Sequence, residues 1–504
     1  MSSSKTDSSL SKLDYFAAIL ILGGAVLVLY FLLPPKIVAL GAMIVTFAVG
    51  VFLFVFAAYR YDKFIPDQFS RIPFWVMFSI PSVLALIVIL NFDIQFTLLN
   101  GLVFFAFILL LSVYWIVIPA SLTHHLREKR EREYFQDRPS ITALIPAYNE
   151  SGYIGPCIES FQNADYPDDK LEIIVIDDGS TDNTYEEAQT QADENVEVLY
   201  QENQGKHAAL NLGLKNASTD LIVGVDADSR IADDALNELV QTYNDHSNTY
   251  AVAGNVKVSN RNSFLTKLQA LEYIVSINMY RRAFDQIGLV KVVPGCLGLF
   301  EKEIVDEIGG FSGDTITEDF DLTIDLLKRG GDVHYSSKAI VRTEAPNTWQ
   351  DLVSQRLRWL RGTIQTAAKH GEIFYQTRFS KLHQVIAPFL FASIGIVPFL
   401  GMVVLGTIIW MLLFGSITRL AGIISLFMFL EMLFATLALR IENTVDSESL
   451  WLVRFAPLMV FGYKQLHDMI MIRSLFDVII GSNVDWTHAT RIRQREVSEE
   501  DKPD

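Results

Sequence analysis

Four apolar runs fill the amino-terminal quarter of the chain: Leu13 to Leu33, Ile37 to Ala58, Pro73 to Asn91 and Leu98 to Pro119. Each is close to the roughly 20 residues that a tilted helix needs to cross a bilayer, so the pattern predicts four transmembrane spans over 13–120. The first is too long for a signal-peptide core and lacks a small-residue cleavage site, and the Ser-rich residues 1–12 before it read as a disordered tail. Arg60, Lys63 and Arg71 lie between the second and third runs, and Arg127, Lys129, Arg130 and Arg132 follow the fourth; the intervening loops hold only Lys36 and Asp93. Cytoplasmic loops carry the excess of Lys and Arg, which places the amino terminus and the central part of the chain inside the cell.

Long apolar runs return at Val385 to Gly415, Leu420 to Leu439 and Trp451 to Gly481. The last carries Arg454, Lys464, His467, Asp468 and Arg473, too many charges for a lipid-facing span, so part of it belongs at the interface or inside a helical bundle. Pro388 and Pro398 either divide the first run or kink one long helix, which leaves two to four carboxyl-side spans over 383–481. The segment 482–504 reads as cytosolic and ends in a solvated acidic tail.

Between the two apolar groups the period shortens. From Arg138 onward, strands at Ile141 to Ile145, Leu171 to Ile176, Val196 to Tyr200 and Leu221 to Val225 alternate with helices at Ser151 to Asn163, Thr181 to Asp193 and Lys206 to Asn216. That alternation predicts an α/β doubly wound domain over 138–350. The polar residues fall directly after the strands: Pro146-Ala147-Tyr148-Asn149-Glu150, Asp177-Asp178-Gly179-Ser180 and Asp226-Ala227-Asp228. Open parallel sheets bind ligands at the carboxyl ends of their strands, so three loops converge on one crevice.

Composition narrows the partners. The 504 residues are 50% hydrophobic, and Asp plus Glu outnumber Lys plus Arg by 58 to 41, which leaves no basic surplus for a nucleic acid. Cys157 and Cys296 have no metal-site spacing and form no disulfide framework, in keeping with a reducing compartment.

Individually the crevice motifs have ordinary readings. Asp226 and Asp228 can form a surface turn or share a divalent ion, Ser180 and Gly179 can cap a helix or help shape a nucleotide pocket, and Lys206 can be solvated or face phosphate. Together, in this order and spacing, they resemble the family 2 glycosyltransferases of GT-A fold. The resemblance continues through Val293-Pro294-Gly295-Cys296-Leu297-Gly298, Thr317-Glu318-Asp319 and Gln355-Arg356-Leu357-Arg358-Trp359, and covers roughly 139–369. Within the family it is nearest to the processive poly-N-acetylglucosamine, hyaluronan and cellulose synthases.

The resemblance implies a UDP-sugar donor, with UDP-N-acetylglucosamine the best guess, bound by Ala147, Tyr148, Glu150, Asp177, Asp178, Lys206, Asp226, Arg356 and Arg358. It implies Mg²⁺ or Mn²⁺ on Asp228 and Asp226, and Asp319 as general base with Glu318 as the competing choice. Gly295, Cys296, Gln355 and Trp359 would face a polysaccharide acceptor. Asp319 and Asp321 equally suit an acidic helix amino terminus, and the amphipathic 351–382 segment equally suits the headgroup layer of the bilayer. Asp485-Trp486-Thr487-His488-Ala489-Thr490-Arg491 resembles a gating element, with Trp486, Thr487 and Arg491 over the nucleotide site, which requires an even number of carboxyl-side spans. The expected protein is a multi-pass plasma-membrane enzyme that elongates a β-linked polymer by inverting transfer and couples this to export. The alternatives are single-sugar transfer to a polyprenyl phosphate and a transporter with a nucleotide-sensing domain.

Overall fold

The structure, a computed structural model, describes residues 116–128, 138–415 and 417–481, with Leu109 and Tyr114 before them. The first three expected amino-side spans, all but the end of the fourth, and the Trp486–Arg491 segment lie outside the described residues. Everything that follows belongs to the compact unit that begins at Ile116.

Eight strands form one sheet: β1 (Ile141–Ala147), β2 (Leu171–Asp177), β3 (Val196–Tyr200), β4 (Leu221–Gly224), β5 (Arg230–Ile231), β6 (Thr249–Val258), β7 (Gly298–Glu301) and β8 (Asp332–Thr343), in the order β3-β2-β1-β4-β7-β6-β8-β5. The first half agrees with the alternating pattern. β3, β2, β1 and β4 are parallel, and β1 is buried at every position, as befits a strand covered by helices on both faces. The second half consists of strands that the alternating pattern does not name. β7 is antiparallel to both β4 and β6, and only β6 with β8 returns to a parallel pair. The sheet is therefore mixed.

β6 and β8 escape a reading based on local pattern because they carry polar residues through the core. Asn255 and Lys257 on β6 are buried, and their partners lie far along the chain. Asn255 Nδ2 donates to the Ser337 carbonyl at 2.6 Å and to Glu442 at 2.7 Å, and Lys257 pairs with Glu442 at 2.6 Å and Glu448 at 3.0 Å. Burial without such partners would cost several kcal/mol per charge.

The carboxyl-side helices are interrupted where the sequence contains proline. A helical run of 33 residues, Leu382–Phe414, is long and apolar enough to cross a membrane. It has π-helical turns at Leu382–Ile386 and Ala392–Ile396, each ending just before a proline-bearing turn. Proline removes a backbone donor and crowds the preceding turn, and a widened turn accommodates both. One long distorted helix thus replaces the alternative of two pieces. A 26-residue helix, Ile417–Glu442, follows. The charged third run is divided by non-helical backbone at Phe461 and Gly462, and its second part, Lys464–Ile480, packs against both the Val397–Phe414 and Trp349–Lys369 helices. Asp468 is buried there and accepts from Lys464 at 2.8 Å. Asp468 thus sits within the bundle, whereas Arg454 and Arg473 are exposed.

Candidate active site

A cavity of about 1240 Å³ opens at the carboxyl ends of β1, β2 and β4. Its floor is set by two cross-braced loops. The Glu150 amide donates to Thr184 Oγ1 at 2.8 Å, and the Thr181 amide donates to the Asn149 side chain at 2.8 Å. The Asp178 carboxylate gathers the next loop by accepting from Gln201 Nε2 at 2.6 Å and from the amides of Gln204 and Gly205 at 2.9 and 2.8 Å. Gly179 permits the approach. It has φ of +72°, and a Cβ there would lie 2.7 Å from the Asn203 amide nitrogen. The sequence places glycine where both the backbone conformation and the space require it.

Gly205 leads into the Lys206–Asn216 helix, whose first residue extends into the cavity. The Lys206 ammonium is 2.7 Å from Asp226 and 2.8 Å from Glu318. Burial opposes its ionisation, but Asp226, Glu318 and Asp319 outweigh that effect and hold its pKa well above the usual lysine range. Gly295 makes room for it, since a Cβ there would sit 2.6 Å from Nζ. Asp226 and Asp228 both act electrostatically on the half-buried Cys296 thiol, whose pKa is pushed up by desolvation and then by Asp226. Cys296 is thus a neutral wall residue. Asp228 Oδ1 also accepts from Ser229 Oγ at 3.2 Å and Thr343 Oγ1 at 3.4 Å. The donors at this turn are all oxygen, which suits a hard divalent cation, and Asp226 already has a cation beside it in the Lys206 ammonium.

Glu318 and Asp319 begin the Glu318–Lys328 helix. Asp319 therefore has both expected characters: it lies in the first helical turn and lines the cavity. Its carboxylate accepts from the Phe320 amide at 2.8 Å and the Gly295 amide at 3.2 Å. Burial, then the adjacent Glu318 charge, raise its pKa to about 6 against the pull of Lys206. A carboxylate so placed is ionised at neutral pH and basic enough to take a proton from a hydroxyl.

The Trp349–Lys369 helix brings Gln355, Arg358 and Trp359 to the same cavity. Arg356 departs from its expected role. Its side chain is buried, forms a 2.7 Å ion pair with Glu272, and lies with its guanidinium carbon 4.3 Å from the Trp359 ring centroid. Tyr463 donates to the same Glu272 carboxylate at 2.6 Å, which ties this helix to the carboxyl-side bundle. Arg356 braces Trp359 and does not line the cavity. Asp177 is also corrected: it is fully buried, accepts from the Ser180 amide at 3.1 Å, and does not line the cavity.

The structure gathers Ala147, Tyr148, Glu150, Asp178, Lys206, Asp226, Asp228, Gly295, Cys296, Glu318, Asp319, Gln355, Arg358 and Trp359 around one space. It adds Arg281, Lys291 and Glu344. Glu344 follows β8 as the other acids follow their strands, so the run Ala339 to Val341 ending in Thr343-Glu344 was a usable signal. A separate acidic cluster, Asp321, Asp325 and His370, has metal-like spacing. Lys369 already pairs with Asp321 at 2.7 Å and Lys328 with Asp325 at 3.3 Å, so it is a self-neutralised ion-pair network.

Residues 142–309 match the family model described as Glycosyl transferase family 2. The chain is 34% identical over 270 residues to a poly-beta-1,6-N-acetyl-D-glucosamine synthase of Staphylococcus aureus strain MSSA476, covering 51% of this chain and 65% of that protein. It is 31% identical over 274 residues to the synthase of the same name from Staphylococcus epidermidis, covering 52% and 65%. The matched region thus spans just under two thirds of these relatives' own length. Among solved structures, a mannosyltransferase from Pyrobaculum calidifontis, in complex with GDP-mannose and Mn²⁺, superimposes with a TM-score of 0.50 at 19% identity, covering 77% of this chain and all of that one. Residues 142–309 are thus similar to a family 2 glycosyltransferase domain, and the described unit shares its fold with a solved glycosyltransferase.

Proposed function

We propose that this protein is a multi-pass membrane enzyme that transfers N-acetylglucosamine from its UDP donor to a growing β-linked polysaccharide. The observation that carries the proposal is the position of Asp319, a half-buried carboxylate with a raised pKa facing the Lys206, Asp226 and Glu318 cluster across one cavity. In this reading Asp319 takes the proton of the acceptor hydroxyl as its oxygen attacks the anomeric carbon. The bond from that carbon to the diphosphate oxygen breaks, and UDP departs with the electron pair. A single displacement inverts the configuration at the anomeric carbon, so an α-linked donor gives a β-linked product.

Arg358 and Lys206 would bind the departing diphosphate, the guanidinium offering two parallel donors to its oxygens. When bound at Asp226 and Asp228, Mg²⁺ or Mn²⁺ would add positive charge against the same leaving group. Trp359, backed by Arg356, would stack on an acceptor pyranose, and Gly295 would let the backbone approach it. The domain's connection to the apolar helix Leu382–Phe414 and to the buried-charge helix Lys464–Ile480 supports passage of the polar product toward the bilayer.

The test is product analysis with the purified full-length chain in detergent, given labelled UDP-sugars singly. A long water-soluble product from UDP-N-acetylglucosamine alone is the expected result. A single addition extractable into organic solvent would instead establish lipid-linked transfer, and no turnover of any nucleotide-sugar would overturn the enzymatic reading.

A further inference from the structure

The cavity wall has a part that the transfer chemistry leaves unused. Cys296 feels Asp226, Asp228 and Lys206, and also Arg281. Cys296 and Asp319 act electrostatically on Arg281, and Arg281 acts on Lys291. The rings of Tyr280 and Phe284 pack on Phe389 with centroids 6.1 and 5.4 Å apart, and Lys291 lies over the same ring, so these residues and the intervening Arg281 share one part of the cavity wall. Lys291 Nζ lies 4.8 Å from the Phe389 ring centroid, and Arg281 Nη1 donates to the Gly254 carbonyl at 3.2 Å. Tyr280 and Phe284 complete this part.

Among the described residues, neither Arg281 nor Lys291 forms an ion pair. The contrast with other sequestered cations of this protein is sharp: Arg282 has Glu128 and Glu442, Arg356 has Glu272, and Lys257 has Glu442 and Glu448. Burial lowers the pKa of both wall cations, and the proximity of Arg281 adds to the effect at Lys291, bringing the latter to about 8. Two neighbouring cations without a counterion are costly in a half-buried wall unless an anion shares the space.

We propose that Arg281 and Lys291 form an oxyanion subsite for the acceptor, which takes a glycan or glycolipid bearing a carboxylate or phosphoryl group. It rests on the glycosyl-transfer reading above. The group is assigned to the acceptor because Arg281 is within electrostatic reach of Asp319, and the base must touch the acceptor hydroxyl, whereas Lys206 and Arg358 are the cations assigned to the donor diphosphate. Tyr280 and Phe284 offer apolar faces to a sugar ring whose acidic substituent reaches the cations. N-acetylglucosamine units carry no group that would use them, so the acidic group sits on a primer or on a substituent of the growing chain.

The direct test is equilibrium binding to the full-length chain in detergent. The probes are a neutral N-acetylglucosamine trisaccharide, the same trisaccharide ending in glucuronate, and a short-chain polyprenyl phosphate. Charge-assisted hydrogen bonds to two cations should tighten an acidic probe about tenfold or more over the neutral one. Lys291→Met should remove that preference and Lys291→Arg should retain it, with UDP binding reporting that each variant is folded. Preference for glucuronate assigns the subsite to a carbohydrate carboxylate, and preference for polyprenyl phosphate assigns it to a lipid phosphate. Equal affinity of the wild type for all three probes overturns the proposal without any variant. Loss of UDP binding and turnover in a wild type that still prefers an acidic probe would instead defeat the transferase reading while leaving the subsite standing.

Discussion

Two regions of this protein concentrate buried charge, and they do so in opposite ways. In the girdle beneath the sheet, Arg282 lies between Glu128 and Glu442 at 3.1 and 3.0 Å, Lys257 between Glu442 and Glu448, and Arg261 reaches Glu448 as well. Every one of those cations meets a carboxylate, and the result joins the helical segment 116–128, β6 and the end of the Ile417–Glu442 helix. In the cavity, Asp226 and Glu318 share the ammonium of Lys206, and Asp228, Asp319 and Glu344 line the same space, while Arg281 and Lys291 form no ion pair among the described residues. Balanced charge holds the molecule together, and unbalanced charge is placed where a ligand supplies the remainder. Residue type alone does not separate the two.

The largest effect expected from disturbing this contrast is structural. Arg282→Met leaves Glu128 and Glu442 buried without their shared cation, and breaking a buried pair costs about 3–5 kcal/mol. Denaturant unfolding in detergent should show that loss, whereas a variant of unchanged stability would dissolve the distinction. In the cavity, Asp228→Ala should leave unfolding nearly unchanged and lower turnover about 10²–10³-fold, together with its response to chelator. A chelator-indifferent wild type would remove the metal from the account.

Smaller effects separate the two arginines. Arg358→Met should weaken UDP binding about tenfold or more, while Arg356→Met should leave UDP affinity within about twofold and raise the acceptor KM through a loosened Trp359. Equal losses of UDP affinity would return Arg356 to the diphosphate. The gentlest probe is pH. Asp319, raised to about 6, must be ionised to act as base, so the rate rises as pH passes upward through 6 and levels off above. Between pH 5 and pH 7 the ionised fraction goes from about one tenth to about nine tenths, whereas an ordinary aspartate would give a flat profile there.

The arginine pair also shows what is legible in the sequence. Positions 356 and 358 are two apart on a helix, about 200° around its axis, so only one can face a given cavity. Their spacing alone carries that constraint. Which of the two points inward depends on Glu272 and Tyr463, and no local pattern contains it. The same holds for Arg281 and Arg282, adjacent in sequence and opposite in role. The strand-end loops at 146–150, 177–180 and 226–228 are legible because their signal is local, an apolar run followed at once by polar residues. β6 and β8 are not, since Asn255 and Lys257 read as polar interruptions until Ser337, Glu442 and Glu448 arrive from far along the chain to satisfy them.

The central claim is that this cavity performs base-assisted sugar transfer, and Asp319→Asn tests it most directly, because the amide keeps the shape and the acceptor capacity toward Gly295 while losing the ability to take a proton. UDP affinity and steady-state release of UDP in the presence of acceptor should be measured on the same preparation. The account predicts affinity within about twofold of wild type and turnover lower by about 10²–10⁴-fold. Turnover near the wild-type rate with UDP bound would contradict it.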